Sequence, residues 1–228
     1  MVRYPRSSSS VATLALAGAF AASLLTAPSA QATVIFTQGN NPEPSEENVL
    51  FGTDQTGTTF TAATNQTNTP VQFTSTQTLT TGGIGQAFLR ATVNNGPITG
   101  AVTFSAPGFG FTDYIFNPQV GGPNATGGPA TITAVSNDGT FTKDITLDNG
   151  NNFWTLTTTG GEIISSVTLT PNGDTSYATY RQPRVSGICV PGETGCVPVP
   201  PSVPEPASLA LLGSALLGFG ILRRRKRT

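Results

Sequence analysis

The side chains able to do chemistry are few. The chain has 228 residues, two cysteines, twelve acids, eleven bases and no histidine. Without an imidazole, Ser-His and Cys-His nucleophilic catalysis and histidine-ligated metal sites are excluded. What survives is a pair of carboxylates, as in glycoside hydrolysis, where one acid has a raised pKa and its partner lies several ångströms away. The acids are scattered over predicted turns (Glu43, Glu46, Glu47, Asp54, Asp113, Asp138, Asp144, Asp148, Asp174) and no motif selects two of them. The reading is therefore not an enzyme and no cofactor. Such turns could also offer oxygens to Ca²⁺, but EF-hand and nonapeptide spacings are absent. Cys189 and Cys196 close the short run Cys-Val-Pro-Gly-Glu-Thr-Gly-Cys, whose Pro191-Gly192 and Gly195 let it bend. A disulfide is the expectation for an exported chain, and a zinc site would need two further ligands.

Flat aromatic faces can stack on sugar rings. Trp154 alternates with Leu156 and is expected to point into a core with it. Tyr177 and Tyr180, near predicted loop ends, are the candidate ligand contacts. Thr74, Thr76, Thr78 and Thr80 fall on one side of one predicted strand. A threonine ladder is an ice-binding device, but one ladder is not a multi-strand array, and threonine suits any solvent-facing strand.

These residues must be held by β-structure. Between Thr33 and Gly187 short β-rich runs alternate with Gly, Pro, Asn and Asp. Eleven strands are predicted: Val34 to Gln38, Thr58 to Ala63, Val71 to Thr80, Ala87 to Val93, Ile98 to Ser105, Phe111 to Phe116, Ala130 to Val135, Thr140 to Leu147, Phe153 to Thr159, Ile163 to Thr170 and Tyr177 to Ile188. Their number and spacing predict an all-β, two-sheet β-sandwich. The clearest hairpin joins Phe141–Leu147 to Phe153–Leu156 through Asp148-Asn149-Gly150-Asn151. Pro107, Pro118, Pro123, Pro129 and Pro171 are expected between strands.

Charge divides the chain. Seven of the eleven bases are terminal, and the segment from Thr33 to Val203 has four bases against eleven acids. A net charge of −7 excludes electrostatic binding of nucleic acid. Residues 1–32 combine Arg3 and Arg6, an apolar run from Val11 to Leu25 and the small-residue series Ala30-Gln31-Ala32. This is the pattern of a cleavable signal peptide, with Thr33 as the mature N-terminus. At the other end, Val203-Pro204-Glu205-Pro206 precedes sixteen residues, Ala207 to Leu222, and then Arg223, Arg224, Arg225, Lys226 and Arg227. Sixteen helical residues reach about 24 Å, a marginal span of a ~30 Å hydrocarbon core. The basic cluster after it predicts a cytoplasmic C-terminus with the preceding domain exported. The expected organisation is a signal peptide at 1–32, a β-sandwich at 33–188, a Cys loop and Pro-rich linker at 189–202, and a tail at 203–228 with a transmembrane helix at 207–222.

The order of Pro-Glu-Pro, Gly-containing apolar helix and Arg-rich end closely resembles the PEP-CTERM sorting signal of exopolysaccharide-producing Gram-negative bacteria. The same pattern also circulates as the ice-binding protein C-terminal domain, a label that names the tail and shows no ice binding. The resemblance implies transient anchoring in the inner membrane, cutting near Pro204-Glu205-Pro206 by an exosortase, a membrane-embedded processing enzyme, and release to the cell surface or polysaccharide matrix. Strand number and the return strand ending Tyr180-Arg181-Gln182-Pro183-Arg184-Val185-Ser186-Gly187 resemble the jelly-roll domains common beside this tail. That resemblance implies a structural calcium near the chain ends, with Glu47, Asp54 and Asp174 as candidates. The expected function is a structural surface protein associated with exopolysaccharide; the alternatives are a carbohydrate-binding module, ice binding and glycoside hydrolysis.

Overall fold

In the computed structural model, residues 33–82, 87–92, 96–122 and 124–190 are described, all within the compact unit Gln31–Pro201. The signal peptide, the tail, Cys196 and the linker lie outside them. The described residues form twelve strands and no helix. These are β1 (Thr33–Gln38), β2 (Glu47–Leu50), β3 (Thr56–Thr64), β4 (Pro70–Gly82), β5 (Phe88–Ala91) and β6 (Val102–Ser105). Then follow β7 (Asp113–Gln119), β8 (Gly128–Ser136), β9 (Gly139–Leu147), β10 (Trp154–Thr159), β11 (Ile164–Pro171) and β12 (Thr179–Ser186).

The protein is all-β, and eleven strands lie where period-two alternation puts them. β2 is the addition: four residues, Glu-Asn-Val-Leu, too short and too polar to announce a strand. Every strand pairing is antiparallel, in the order β1-β10-β7-β12-β2-β3-β4-β6-β11-β8-β9. β5 pairs both β12 and β4, which closes β12, β2, β3, β4 and β5 into a ring. Two separate sheets are thus corrected to one hydrogen-bonded path that turns back on itself around a barrel-like core. The turn is made by β12. Its register shifts between Arg181 and Arg184, with Gln182 in the left-handed region at φ 54°. The bulge bends the strand, so that its first half pairs β5 and its second half β2.

The core follows from the alternation. Phe60, Phe73, Phe104 and Val167 stand in one buried row across β3, β4, β6 and β11. Facing them, Tyr114 and Phe116 of β7 and Tyr180 of β12 stack in sequence. Phe104 and Tyr114 lie 4.2 Å apart centre to centre, and Phe116 and Tyr180 5.2 Å. The next residue along each strand faces outward. There Thr59, Thr74, Thr103, Thr168, Thr133 and Thr142 stand opposite one another across β3, β4, β6, β11, β8 and β9.

Two local expectations change. The Asp148–Asn151 turn does not make a hairpin, because β9 pairs β8 whereas β10 pairs β1 and β7. Asn152 directs the chain instead. Its Nδ2 donates to the carbonyls of Pro118, Asp148 and Gly150, and its Oδ1 accepts from the Asp148 N–H. Gly150, at φ 101°, bridges Val120. An Asn152→Ala substitution leaves three carbonyls without this donor, and we expect a loss of about 1–2 kcal/mol, read as a lower urea midpoint at unchanged slope. Pro118, Pro129 and Pro171 lie within strands rather than between them. Pro118 is tolerated because β10 ends opposite Phe116, which leaves the proline a ladder partner on one side only, Tyr180.

Candidate functional site

Tyr177 and Tyr180 cannot hold a sugar. They are 0% and 1% exposed, and the Tyr180 hydroxyl is hydrogen-bonded to that of Tyr114 at 2.9 Å. Burial holds all three phenols well above the ordinary tyrosine range. Position near a strand end misled because Tyr180 takes an inward position of β12, and Tyr177, just before that strand and bridged to Ile98, is buried as well. Trp154 and Leu156 are both buried, as their shared phase requires.

Nor are the calcium candidates brought together. Among the described residues no group of three His, Cys, Asp or Glu side chains could hold a metal. Asp54 and Asp174 are exposed in the loops before β3 and before β12. Glu47 is buried and committed: its Oε2 accepts from the Gln66 and Thr67 N–H groups at 3.0 and 2.8 Å and from the Thr67 hydroxyl. Burial alone would raise its pKa, but hydrogen bonds from Thr67, Thr64 and Gln66 prevail and hold it below the usual range. Glu47 therefore organises the β3–β4 loop.

A carboxylate site that sequence reasoning missed lies on the outer side of β7. Residues 39–46 cross this surface, pinned by the Asn41 N–H donating to Thr155 Oγ1 and by the Thr155 hydroxyl donating to the Gly39 carbonyl. Beneath the crossing segment Asp113 is 2% exposed. Neither of its oxygens receives a hydrogen bond from an N–H or hydroxyl, and its carboxyl faces that of Glu46 within hydrogen-bonding range. Arg184 of β12 pairs with Glu46 at 3.2 Å and donates to Asn40. Burial first, then the charges of Glu46 and Glu43, push Asp113 up to about 8 against the opposing pull of Arg184. Through Glu46 and Asn40, Arg184 acts as a latch that holds the 39–46 segment over Asp113.

Clefts open on the surface of the described residues, two of which adjoin candidate residues. One, of 520 Å³, lies among Glu47, Thr67, Phe109, Gly187 and Cys189. The other, of 270 Å³, is lined by Phe88, Arg90, Asn124 and Thr179, with the Arg90 guanidinium 6.0 Å from the Phe88 ring centre. Cys189 is disulfide-bonded and bridges Gly110 through both backbone hydrogen bonds, 2.8 and 2.9 Å. Its expected partner Cys196 lies outside the described residues, as do Ala30, Ala32, Val203 to Pro206 and the terminal Arg223 to Arg227 cluster.

The described fold and the terminal pattern together define an all-β protein with a C-terminal sorting tail. That tail is the PEP-CTERM protein-sorting motif, whose family model matches residues 202–226. The motif implies export and processing by an exosortase-type enzyme. No curated protein matches the chain. Among solved structures it is similar to a family 29 carbohydrate-binding module from Piromyces equi, at 8% identity and a TM-score of 0.28, over 68% of this chain and 89% of that one. A likeness so slight says nothing about a ligand.

Proposed function

We propose that this chain is an exported, non-catalytic structural protein of the cell surface or extracellular matrix, associated with exopolysaccharide. The observation that carries this reading is the sorting motif at residues 202–226. In this scheme the signal peptide is cut after Ala32, and the apolar segment 207–222 holds the β-domain on the outer side of the inner membrane with the arginines in the cytoplasm. The exosortase then cuts near Pro204-Glu205-Pro206 and releases the domain. The Cys189–Cys196 disulfide stiffens the exit from β12 toward the linker.

Intact mass of the protein recovered from the surface of its native host tests this. The expected product begins at Thr33, ends near residues 204–206 and is two mass units lighter than the reduced peptide. A surface product that still ends in Arg223 to Thr228 overturns the sorting reading. A carbohydrate-binding role is the second reading, favoured by the outward threonine row.

A further inference from the structure

The threonine row is a property of the fold that no single strand contains. Thr59, Thr74, Thr103, Thr168, Thr133 and Thr142 come from six strands, and each is the register partner of the next. Thr59 and Thr142 at the ends are exposed and the four between are half-exposed. Strand spacing of ~4.8 Å gives a row about 24 Å long, running across the strands. Thr103 and Thr168 hydrogen-bond to each other at 2.8 Å, whereas the hydroxyls of Thr59, Thr74, Thr133 and Thr142 have no partner among the described residues. Ser105 and Ser166 continue the hydroxyl surface in the next row, where Val135 is the exposed large apolar side chain.

The composition of this face selects its occupant. A protein partner would want an apolar centre to bury, and Val135 alone does not make one. Nucleic acid and acidic lipid would want bases, and no Lys or Arg takes an outward position in these rows. Hydroxyls both donate and accept, and they suit a neutral ligand that repeats donors and acceptors along its length. Ice does so, but on a plane. A right-handed twist of ~20–25° per strand carries this row through about 100° from β3 to β9. A flexible polymer follows such a path and a lattice plane does not.

We infer that the outward threonine row of β3, β4, β6, β11, β8 and β9 is a binding surface for a neutral polysaccharide chain lying across the strands. It rests on the proposed matrix role only for bringing the protein and the polymer together. Individual contacts are weak, and binding comes from repetition along the polymer.

The test is retardation of the full chain, in mild detergent, on native gels cast with dextran, hydroxyethylcellulose or the host's own secreted polysaccharide. Wild type is expected to be retarded by at least one of these. The shape-conserving triple variant Thr103→Val, Thr133→Val, Thr168→Val should bind at least fivefold more weakly. A second variant, Thr74→Lys with Thr133→Lys, obstructs the row with exposed side chains and should do the same. Thr157→Val, off this face, should bind like wild type. Absence of wild-type retardation in all three gels, or equal retardation of both row variants, overturns the proposal. Thermal hysteresis that disappears in the triple variant would assign the row to ice, and a dimer that dissociates in it would assign the row to a second copy. Correct tail processing without retardation overturns this inference alone; retardation with an unprocessed tail overturns the sorting reading alone.

Discussion

Tyr180→Ala is expected to cost about 3–5 kcal/mol and to lower the melting temperature by roughly 10 °C or more. The ring is stacked on Phe116 at 5.2 Å with 6° between planes, and meets Phe73 at 6.1 Å edge to face. Its loss opens a cavity where β12 changes partner from β5 to β2. It also strands the buried hydroxyl of Tyr114, which has Tyr180 as its hydrogen-bond partner. Tyr180→Phe separates the two contributions, because it keeps the stack and removes the hydroxyl pair. We expect about 1–2 kcal/mol for it. Thermal and urea unfolding followed by circular dichroism measure both. A Tyr180→Ala protein that melts within about 3 °C of wild type would contradict the core drawn here.

Alkaline pH is expected to loosen the domain, with Asp113 as the responsible group. Its pKa lies at about 8 in the folded protein and at the ordinary 3.8 once unfolded. The folded state therefore holds a proton that the unfolded state has released, so the stabilisation is complete below pH 4 and is lost as pH rises toward 8. Each unit in that window is worth at most ~1.4 kcal/mol, and less for a group beneath a thin surface segment, where water screens the charge. A fall of about 2–3 kcal/mol between pH 5 and pH 8 is the expected size. Asp113→Asn removes the titration and keeps an amide donor toward Glu46. Its melting temperature should vary much less from pH 5 to pH 9 than that of wild type, and should exceed it at pH 9. The same slope in both proteins would show that Asp113 is already ionised at neutral pH. Glu47 works in the opposite direction: its depressed pKa adds stability above the ordinary carboxylate range and withdraws it on acidification.

The strands were readable because threonine and apolar residues alternate with period two, as in Val71-Gln72-Phe73-Thr74 of β4, where the first and third are buried. β2 escaped because its inward residues are Glu47 and Val49, so one of its two buried positions is polar and is satisfied by the β3–β4 loop. The Asn-Gly turn carried the right local chemistry and the wrong partner, since Asn152 ties it to Pro118 rather than closing β9 on β10. The threonine row and the Asp113 latch share a different obscurity. Both depend on which distant strands become neighbours: Thr103 is followed across the sheet by Thr168, 65 positions away, and Glu46 reaches Asp113 and Arg184 only because the 39–46 segment crosses β7. Pairing between distant strands leaves no mark on periodicity.

The closed path of strands also sets a timetable for folding. β1 pairs with β10, and β2 pairs with β12, the last strand. β1 therefore waits for a partner made more than a hundred residues later; β2 has β3 close by, but its other edge waits as long, and the ring around the core cannot shut before Val185 exists. Such long-range pairings close slowly, because the loop entropy is paid before the contacts form. A chain that is threaded unfolded through a membrane profits from the delay. With export implied by the sorting motif, the order of strands along the sequence leaves the ring open until β12, the last strand, is at hand.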